Sequence, residues 1–246
     1  MPDIKHIVKT KYSQIAAQPR DGCSCSCSCK TKKSVAEQIG YTTEQLKIVG
    51  EANMGLGCGN PIAFSRIKAG DTVVDLGSGA GIDCFLASKK TESSGKVIGI
   101  DFTEEMVAKA KTNALKGRYE NVEFKLGDIE NLPLENNSVD VIISNCAINL
   151  APNKEKVFAE AYRVLKIGGR ICVSDIVLLA ELTTEQRSDE ELIAGCVGGA
   201  VLKNDYMEMV KNAGFNVSVL SENTDISKQQ YQGIALESLL LEGLKV

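Results

Sequence analysis

The sequence predicts a doubly wound α/β fold, a mostly parallel sheet with helices on both faces, and three observations carry that expectation. From Asp71 onward short apolar runs alternate with helical patterns, the first of these runs ends in a glycine-rich turn, and the chain is long enough for a single large sheet. Regular alternation of strand and helix means parallel strands, because a parallel return needs a crossover instead of a tight hairpin. With 246 residues, 43% of them apolar and 24% charged, the chain suits one α/β domain with additions and not two full domains or a disordered polymer.

The first strand is Thr72-Val-Val-Asp-Leu76, which runs into Gly77-Ser-Gly79-Ala-Gly81 and a helix through Leu86. Val97-Ile-Gly-Ile-Asp101 is the second. Thr103, Glu104 and Glu105 then open a helix whose N-terminal dipole favours the two carboxylates, and Met106, Ala110 and Ala114 share one of its faces. Strands three, four and five are Val122-Glu-Phe-Lys-Leu126, Val139-Asp-Val-Ile-Ile-Ser144 and Arg170-Ile-Cys-Val-Ser174, with a helix over 153–166 before the last. A helix at 204–213 and extended runs near 216–221 and 233–242 break the alternation and are read as an antiparallel edge. Upstream, residues 3–17 and 34–50 suit short helices, with Thr43 as the expected cap of the second stretch. The organisation expected is an N-terminal helical and Cys-rich extension over 1–50, a main domain over 51–225, and a strand or extension over 226–246 that completes the sheet.

The net charge of −4 hides an asymmetry: the first 33 residues carry seven Lys or Arg against two Asp, which leaves the remainder with nine excess negative charges. Such a body has no nucleic-acid footprint. The basic leader lacks interleaved aromatics and a long apolar face, so it reads as a solvated, mobile terminus and not as a nucleic-acid or membrane arm. No apolar run approaches the roughly 18 residues of a membrane span, and residues 1–22 lack the apolar middle of a signal peptide. The expected compartment is therefore cytoplasmic. There, nine cysteines are read as thiols, metal or metalloid ligands or catalytic groups in preference to a disulfide framework. Four of them, Cys23, Cys25, Cys27 and Cys29, alternate with serine. Extended, such a row would space its Cα atoms about 6.6 Å apart on one side of the chain, and we read it as a capture arm for a soft ion. A zinc or copper cluster, or a thiol-rich tail with no task, remains open, although the absence of C-x-x-C spacing disfavours an ordinary zinc finger.

Ligands of an open parallel sheet bind at the carboxyl ends of its strands, where the strand order reverses. Gly77, Gly79 and Gly81 stand there and let the backbone approach a ligand, and Asp101, twenty residues after Gly81, is placed to accept two ribose hydroxyl hydrogens. The loop departs from the G-x-G-x-x-G spacing that brings a pyrophosphate to a helix N-terminus, and Asp75 at the strand end suits a cationic amino group better than a phosphate. Asp128 and Ile129, after strand three, are suited to an adenine amino group and ring face. The plainer alternative is a set of strand-end or solvated carboxylates beside glycines needed only for φ > 0. Together with Leu165-Lys-Ile-Gly-Gly169, these blocks resemble the class I S-adenosylmethionine methyltransferases over about residues 70–220. The resemblance implies a Rossmann-like sheet and S-adenosylmethionine as cofactor.

Four further blocks narrow the resemblance to the arsenite methyltransferases: Gly55-Leu-Gly-Cys58-Gly-Asn-Pro61, Gly81-Ile-Asp-Cys84, Ser144-Asn-Cys146-Ala-Ile-Asn-Leu150 and Ala194-Gly-Cys196-Val-Gly-Gly-Ala200. It implies that thiolates of Cys58, Cys146 and Cys196 bind trivalent arsenic beside the sulfonium methyl, as arsenite detoxification requires, while Cys84 serves packing. Tyr12 is similar to one member of the family's N-terminal tyrosine pair that lids the cofactor, and Asn145 either contacts the cofactor or caps a turn. The residues themselves lead to a similar place. Oxygen and nitrogen acceptors usually need a base, most often His, and the one histidine is His6 in the leader. Arsenic(III) held by soft thiolates has a lone pair and no proton to lose. Cys146 follows strand four at the ligand-facing end; for Cys58 and Cys196, pattern alone leaves a functional thiol and a buried space-filler evenly matched. The substrate expected is arsenite or its thiol conjugates, with a cellular reductant of the glutathione or thioredoxin type as partner. A methyltransferase for a small apolar carbon or oxygen acceptor, or a non-catalytic thiol-based metalloid-binding protein, are the alternatives.

Overall fold

The computed structural model describes residues 3–17, 34–226, 231 and 233–246. The chain opens with helix α1 (Ile4–Ala17) and the short helices α2 (Val35–Gln38), α3 (Thr43–Val49) and α4 (Pro61–Phe64). There follow β1 (Thr72–Leu76), α5 (Ile82–Thr91), β2 (Lys96–Asp101), α6 (Glu104–Gly117), β3 (Val122–Leu126), β4 (Val139–Asn145), α7 (Lys154–Val164) and β5 (Leu165–Leu178). The last elements are α8 (Thr184–Ser188), α9 (Glu190–Ala194), α10 (Lys203–Asn212), β6 (Phe215–Asn223) and β7 (Leu236–Lys245).

The strands form one sheet in the order β3-β2-β1-β4-β5-β7-β6. Pairing is parallel from β3 to β5, and β7 lies antiparallel between β5 and β6. The late extended runs thus supply the expected antiparallel edge. Side chains alternate between the two faces of a strand, and both faces of this sheet are covered, which is why its central strands are apolar at nearly every position. Val74, Leu76, Ile98, Ile100 and Ile142 pack with Phe158 and Val164 of α7 and Tyr206 of α10. Their neighbours Val73, Val97, Val141 and Ile143 face the other way, onto Phe85 of α5, Val107 and Ala110 of α6, and Ile62 of α4. The chain leaves β1 towards β2 and β3, then crosses back to β4, so the order reverses between β1 and β4 and opens a crevice at their carboxyl ends.

Four expectations need correction. The helix after β1 continues past Leu86 to Thr91, because Ala87, Ser88 and Thr91 are buried and Lys89 and Lys90 suit its C-terminal dipole. Helix α7 stops at Val164, since Leu165 already pairs with Val139; the ladder then restarts at Val141 with Arg170, leaving an irregularity between the two pairs. The cap of α3 is Thr42, not Thr43. The Thr42 hydroxyl accepts from the Gln45 N–H at 3.2 Å while the Gln45 side chain accepts from the Thr42 N–H at 2.9 Å, a reciprocal box that only residues three apart can close. The leader, finally, is not a free terminus over α1. Lys5, Lys9 and Lys11 pair with Asp128, Glu104 and Glu191 respectively, and Val8 is buried, so the helix lies across the carboxyl ends of the strands. The row Cys23, Cys25, Cys27 and Cys29 lies outside the described residues. Among the described residues no helix is long and apolar enough to cross a membrane.

The capping assignment is testable by equilibrium urea unfolding. Thr42→Ala should destabilise by about 1 kcal/mol through the lost cap, whereas Thr43→Ala, at an exposed first helical position, should change stability by less than about 0.5 kcal/mol.

Candidate functional site

The ends of β1 and β4 approach so closely that one side chain is forbidden: a Cβ on Gly77, at φ +71°, would fall 2.3 Å from the Cβ of Ala147. Beyond this contact opens a cavity of about 220 Å³, lined among others by Asp75, Gly79, Asp101, Asp128, Ile129 and Cys146. The Asp101 carboxylate at the end of β2 accepts from the Gly79 N–H and the Thr103 N–H, each at 2.9 Å, and so faces the glycine turn in one orientation. Burial raises its pKa against those two hydrogen bonds. At the other end of the cavity Lys5 of α1 donates to Asp128 at 2.6 Å. Although partial burial pushes the other way, the Lys5 hydrogen bond and charge hold Asp128 below the usual carboxylate range.

Asp75 is buried, and burial together with the charge of Asp83 lifts its pKa well above the usual range. The Cys84 thiol donates to Asp75 at 3.3 Å. Cys84 is thus buried as expected, but it also engages a cavity carboxylate and is more than packing. Asp83, on the first turn of α5, is pushed up to about 6 by burial, against hydrogen bonds from Tyr41 and Asn145. The Tyr41 hydroxyl donates to it at 2.7 Å and the Asn145 amide reaches its other oxygen at 3.4 Å. Two buried carboxylates facing one cavity form a site that a cationic ligand would relieve.

Asn145 ends β4 and joins this acidic pair to the cysteines. Its amide oxygen accepts from the Cys58 N–H at 3.1 Å, and its amide nitrogen donates to the Gly59 carbonyl at 2.8 Å and to the Tyr41 hydroxyl at 2.9 Å. The loop must pass close by: a Cβ on Gly57, at φ +106°, would sit 2.9 Å from both polar atoms of the Asn145 amide. Cys146 follows at φ +57° and Cys196 stands at φ +67°, left-handed conformations that cost a residue with a Cβ about 1 kcal/mol or more. The result is a cluster. The Cys146 sulfur lies within 4.8 Å of the Cys58 sulfur, and burial raises its pKa well above the usual thiol value, the neighbouring Cys196 and Cys58 thiols adding to the effect. The Cys196 thiol donates to the Cys146 carbonyl at 2.8 Å. Cys146 and Cys196 line the cavity directly, whereas Cys58 lies buried beneath, its thiol donating to the Ser174 carbonyl at 3.5 Å. All three are free thiols, set among apolar neighbours such as Ile176, Val197 and Leu236.

A family model described as a methyltransferase domain matches residues 67–214. An arsenic(III) S-adenosylmethionine methyltransferase from Chlamydomonas reinhardtii has a solved structure that this fold matches with a TM-score of 0.68, at 31% identity over 88% of this chain and 75% of that one. The chain belongs to the arsenic(III) S-adenosylmethionine methyltransferase family. The arsenite methyltransferase of Halobacterium salinarum is 44% identical over 87% of this chain and 57% of its own length, and that of Homo sapiens 34% identical over 87% and 58%. The chain therefore spans a little over half the length of these two arsenite methyltransferases.

In this methyltransferase fold the sequence-predicted residues Tyr12, Asp75, Gly77, Gly79, Asp101, Asp128, Ile129, Asn145, Cys146 and Cys196 all border one cavity. Gly81 does not line it; it caps α5 instead. Tyr12 donates from α1 to the Ala194 carbonyl at 3.3 Å, and Tyr231, which the sequence reading missed, donates to the Gly195 carbonyl at 2.9 Å, so two rings flank the Cys196 turn. Asp175 was also missed. Its carboxylate and the sulfurs of Cys58 and Cys146 lie within 4.8 Å of one another, and burial pushes it up to about 7 against hydrogen bonding by Tyr206 and the charge of Lys154. One signal was available: like Asp75, it is an acid set into an apolar strand that reaches the ligand end of the sheet.

The raised pKa of Asp83 gives a pH test on the ligand-free protein. The folded state holds this proton up to about pH 6, whereas the unfolded chain releases it near 4, so the stability it contributes is complete below that lower value and is lost as pH rises through about 6. Thermal unfolding across this window should show that loss in the wild type, and Asp83→Asn should make it shallower, the other buried aspartates keeping their share; parallel profiles for the two proteins would contradict the assignment.

Proposed function

We propose that this chain transfers the methyl group of S-adenosylmethionine to arsenic(III) held by the thiolates of Cys58, Cys146 and Cys196. The observation that carries the reading is the meeting of three thiols from distant segments of the chain beside a cavity whose far side presents Asp101, Asp128 and Ile129.

The residues present fit the cofactor. Asp75 and Asp83 offer buried negative charge to an amino group, Ser78 carries a buried hydroxyl oxygen without a partner among the described residues, and Asp101 keeps unshared electron pairs for ribose hydroxyls. Asp128 and Ile129 suit the adenine edge and face, and Tyr12 closes the cavity from α1. When bound, S-adenosylmethionine supplies an electrophilic methyl on a sulfonium. The three cysteines displace hydroxide or thiol ligands from arsenic, fix its position and leave its lone pair directed at the cavity. Such in-line positioning can supply roughly 7 to 11 kcal/mol of a barrier. No base is needed, because the acceptor loses no proton. Methyl transfer oxidises arsenic by two electrons, and a thiol reductant of the glutathione or thioredoxin type returns it to the trivalent state. A pathway that runs on free thiols fits a reducing compartment, the cytoplasm. We assign the catalytic domain to residues 51–225, an extension to 1–50 and the closing strand to 226–246, with Cys23, Cys25, Cys27 and Cys29 as an accessory capture arm.

Labelled S-adenosylmethionine, arsenite and a dithiol should yield labelled methylarsenic. Cys146→Ser should abolish or strongly reduce turnover while calorimetric cofactor affinity stays within about twofold, since a hydroxyl is a harder, mostly protonated ligand. Normal turnover of arsenite by Cys58→Ser, Cys146→Ser and Cys196→Ser alike would overturn the three-thiol site. Asp101→Ala should weaken cofactor binding by about 1.5 to 3 kcal/mol, the range for a charge-assisted hydrogen bond, and leave arsenite binding in place.

A further inference from the structure

Asp83 has no part in the chemistry just described beyond lending charge, yet it borders the cavity and is linked through Asn145 to the loop of Cys58. On one side it borders the cavity next to Asp75. On the other it accepts hydrogen bonds from Tyr41 at 2.7 Å and from Asn145 at 3.4 Å. Tyr41 in turn accepts from the Asn145 amide at 2.9 Å, so the three side chains close a ring. The same Asn145 amide holds the loop of Cys58 through the Cys58 N–H and the Gly59 carbonyl. Tyr41 and Asp83 are both buried, and the ring therefore has little room for alternative arrangements.

We propose that Asp83 is a positioning residue that couples the two ligands: an amino group bound in the cavity fixes Asp83, Asp83 fixes Asn145, and Asn145 fixes the loop that carries the Cys58 thiol. The inference rests on the three-thiol reading above and adds a thermodynamic property to it. Ordering that the first ligand has already imposed is a cost the second ligand no longer meets, so each tightens the other. The coupling is reciprocal by linkage, and the effect expected for a relay of this kind is about fivefold or more in affinity. The ligand feature that matters is the ammonium, because the relay starts at Asp75 and Asp83; a nucleoside that fills only the adenine and ribose end leaves Asp83 as it was.

Because the chain lacks tryptophan, calorimetry is the direct readout. Arsenite is titrated into the full chain alone, then with saturating S-adenosylhomocysteine, which carries the amino group, and then with saturating methylthioadenosine, which does not. Arsenite affinity should rise about fivefold or more with the first nucleoside and stay within about twofold of the ligand-free value with the second. In Asp83→Asn, S-adenosylhomocysteine should lose its effect while arsenite alone still binds. Equal tightening by both nucleosides, no tightening by either, or full tightening retained in Asp83→Asn would each overturn the relay. The two nucleosides test it on the unaltered protein even if the variant does not fold. Failure of arsenite to bind in every arm would instead overturn the three-thiol reading on which the relay rests.

Discussion

The amide of Asn145 is the interaction on which the site depends. β4 ends there, and the chain must satisfy a loop from far upstream at the same point; one side-chain amide does so by accepting from the Cys58 N–H and donating to the Gly59 carbonyl. Without that clasp two backbone groups of a partly buried loop lose their partners, which costs more than a hydrogen bond in water is worth. The clasp fixes which residues can follow. Gly57 must be glycine because the amide occupies the place of its Cβ, and Cys146 must turn left-handed directly after Asn145. Its backbone N–H is held there by the Ser174 carbonyl at 2.8 Å. Left-handed backbone at two thiol residues is strain retained beside the cavity, and the surrounding packing of Ile176, Val197 and Leu236 sustains it.

Charge is the second constraint. Asp75, Asp83, Asp101 and Asp175 are all buried at the ligand end of the sheet, and burial raises the pKa of each. A cluster of this kind opposes stability at neutral pH in the free protein and favours a cation in the cavity. Hydrogen-bond donors limit the opposition: the Cys84 thiol on Asp75, Tyr41 on Asp83, backbone N–H groups on Asp101, and Tyr206 with Asn149 on Asp175. Surface ion pairs do less. Those of α1 each contribute little in water, but together they hold a helix with one buried residue across the mouth of the site.

Much of this was legible in the chain. Strand patterning fixed β1 and β3 to the residue, the first as a short apolar run and the second as an alternation of apolar and charged residues. Asp75, Asp101 and Asp128 were found because strand ends in a parallel sheet all point to one crevice. Helix ends were less legible: α5 and α7 stop where burial and strand pairing decide, and neither is a local property. The cap at Thr42 was missed although Gln45 signalled it. Tyr41, Asp83 and Asp175 escaped for another reason, since each acquires its role from a partner remote in sequence, as in the Tyr41 to Asp83 hydrogen bond or the approach of Asp175 to Cys58. The resemblance carried by the cysteine blocks named Cys58 and Cys196, whose convergence no local pattern encodes.

The central claim is that three sulfurs hold arsenic, and X-ray absorption at the arsenic edge counts them directly. With arsenite bound to the full chain and free thiol removed, the account predicts three sulfur neighbours and no oxygen, falling to two sulfurs with one oxygen or nitrogen neighbour in Cys58→Ser, Cys146→Ser and Cys196→Ser separately. A wild-type count of two or fewer sulfurs, or a count of three that any of these substitutions leaves unchanged, would contradict it.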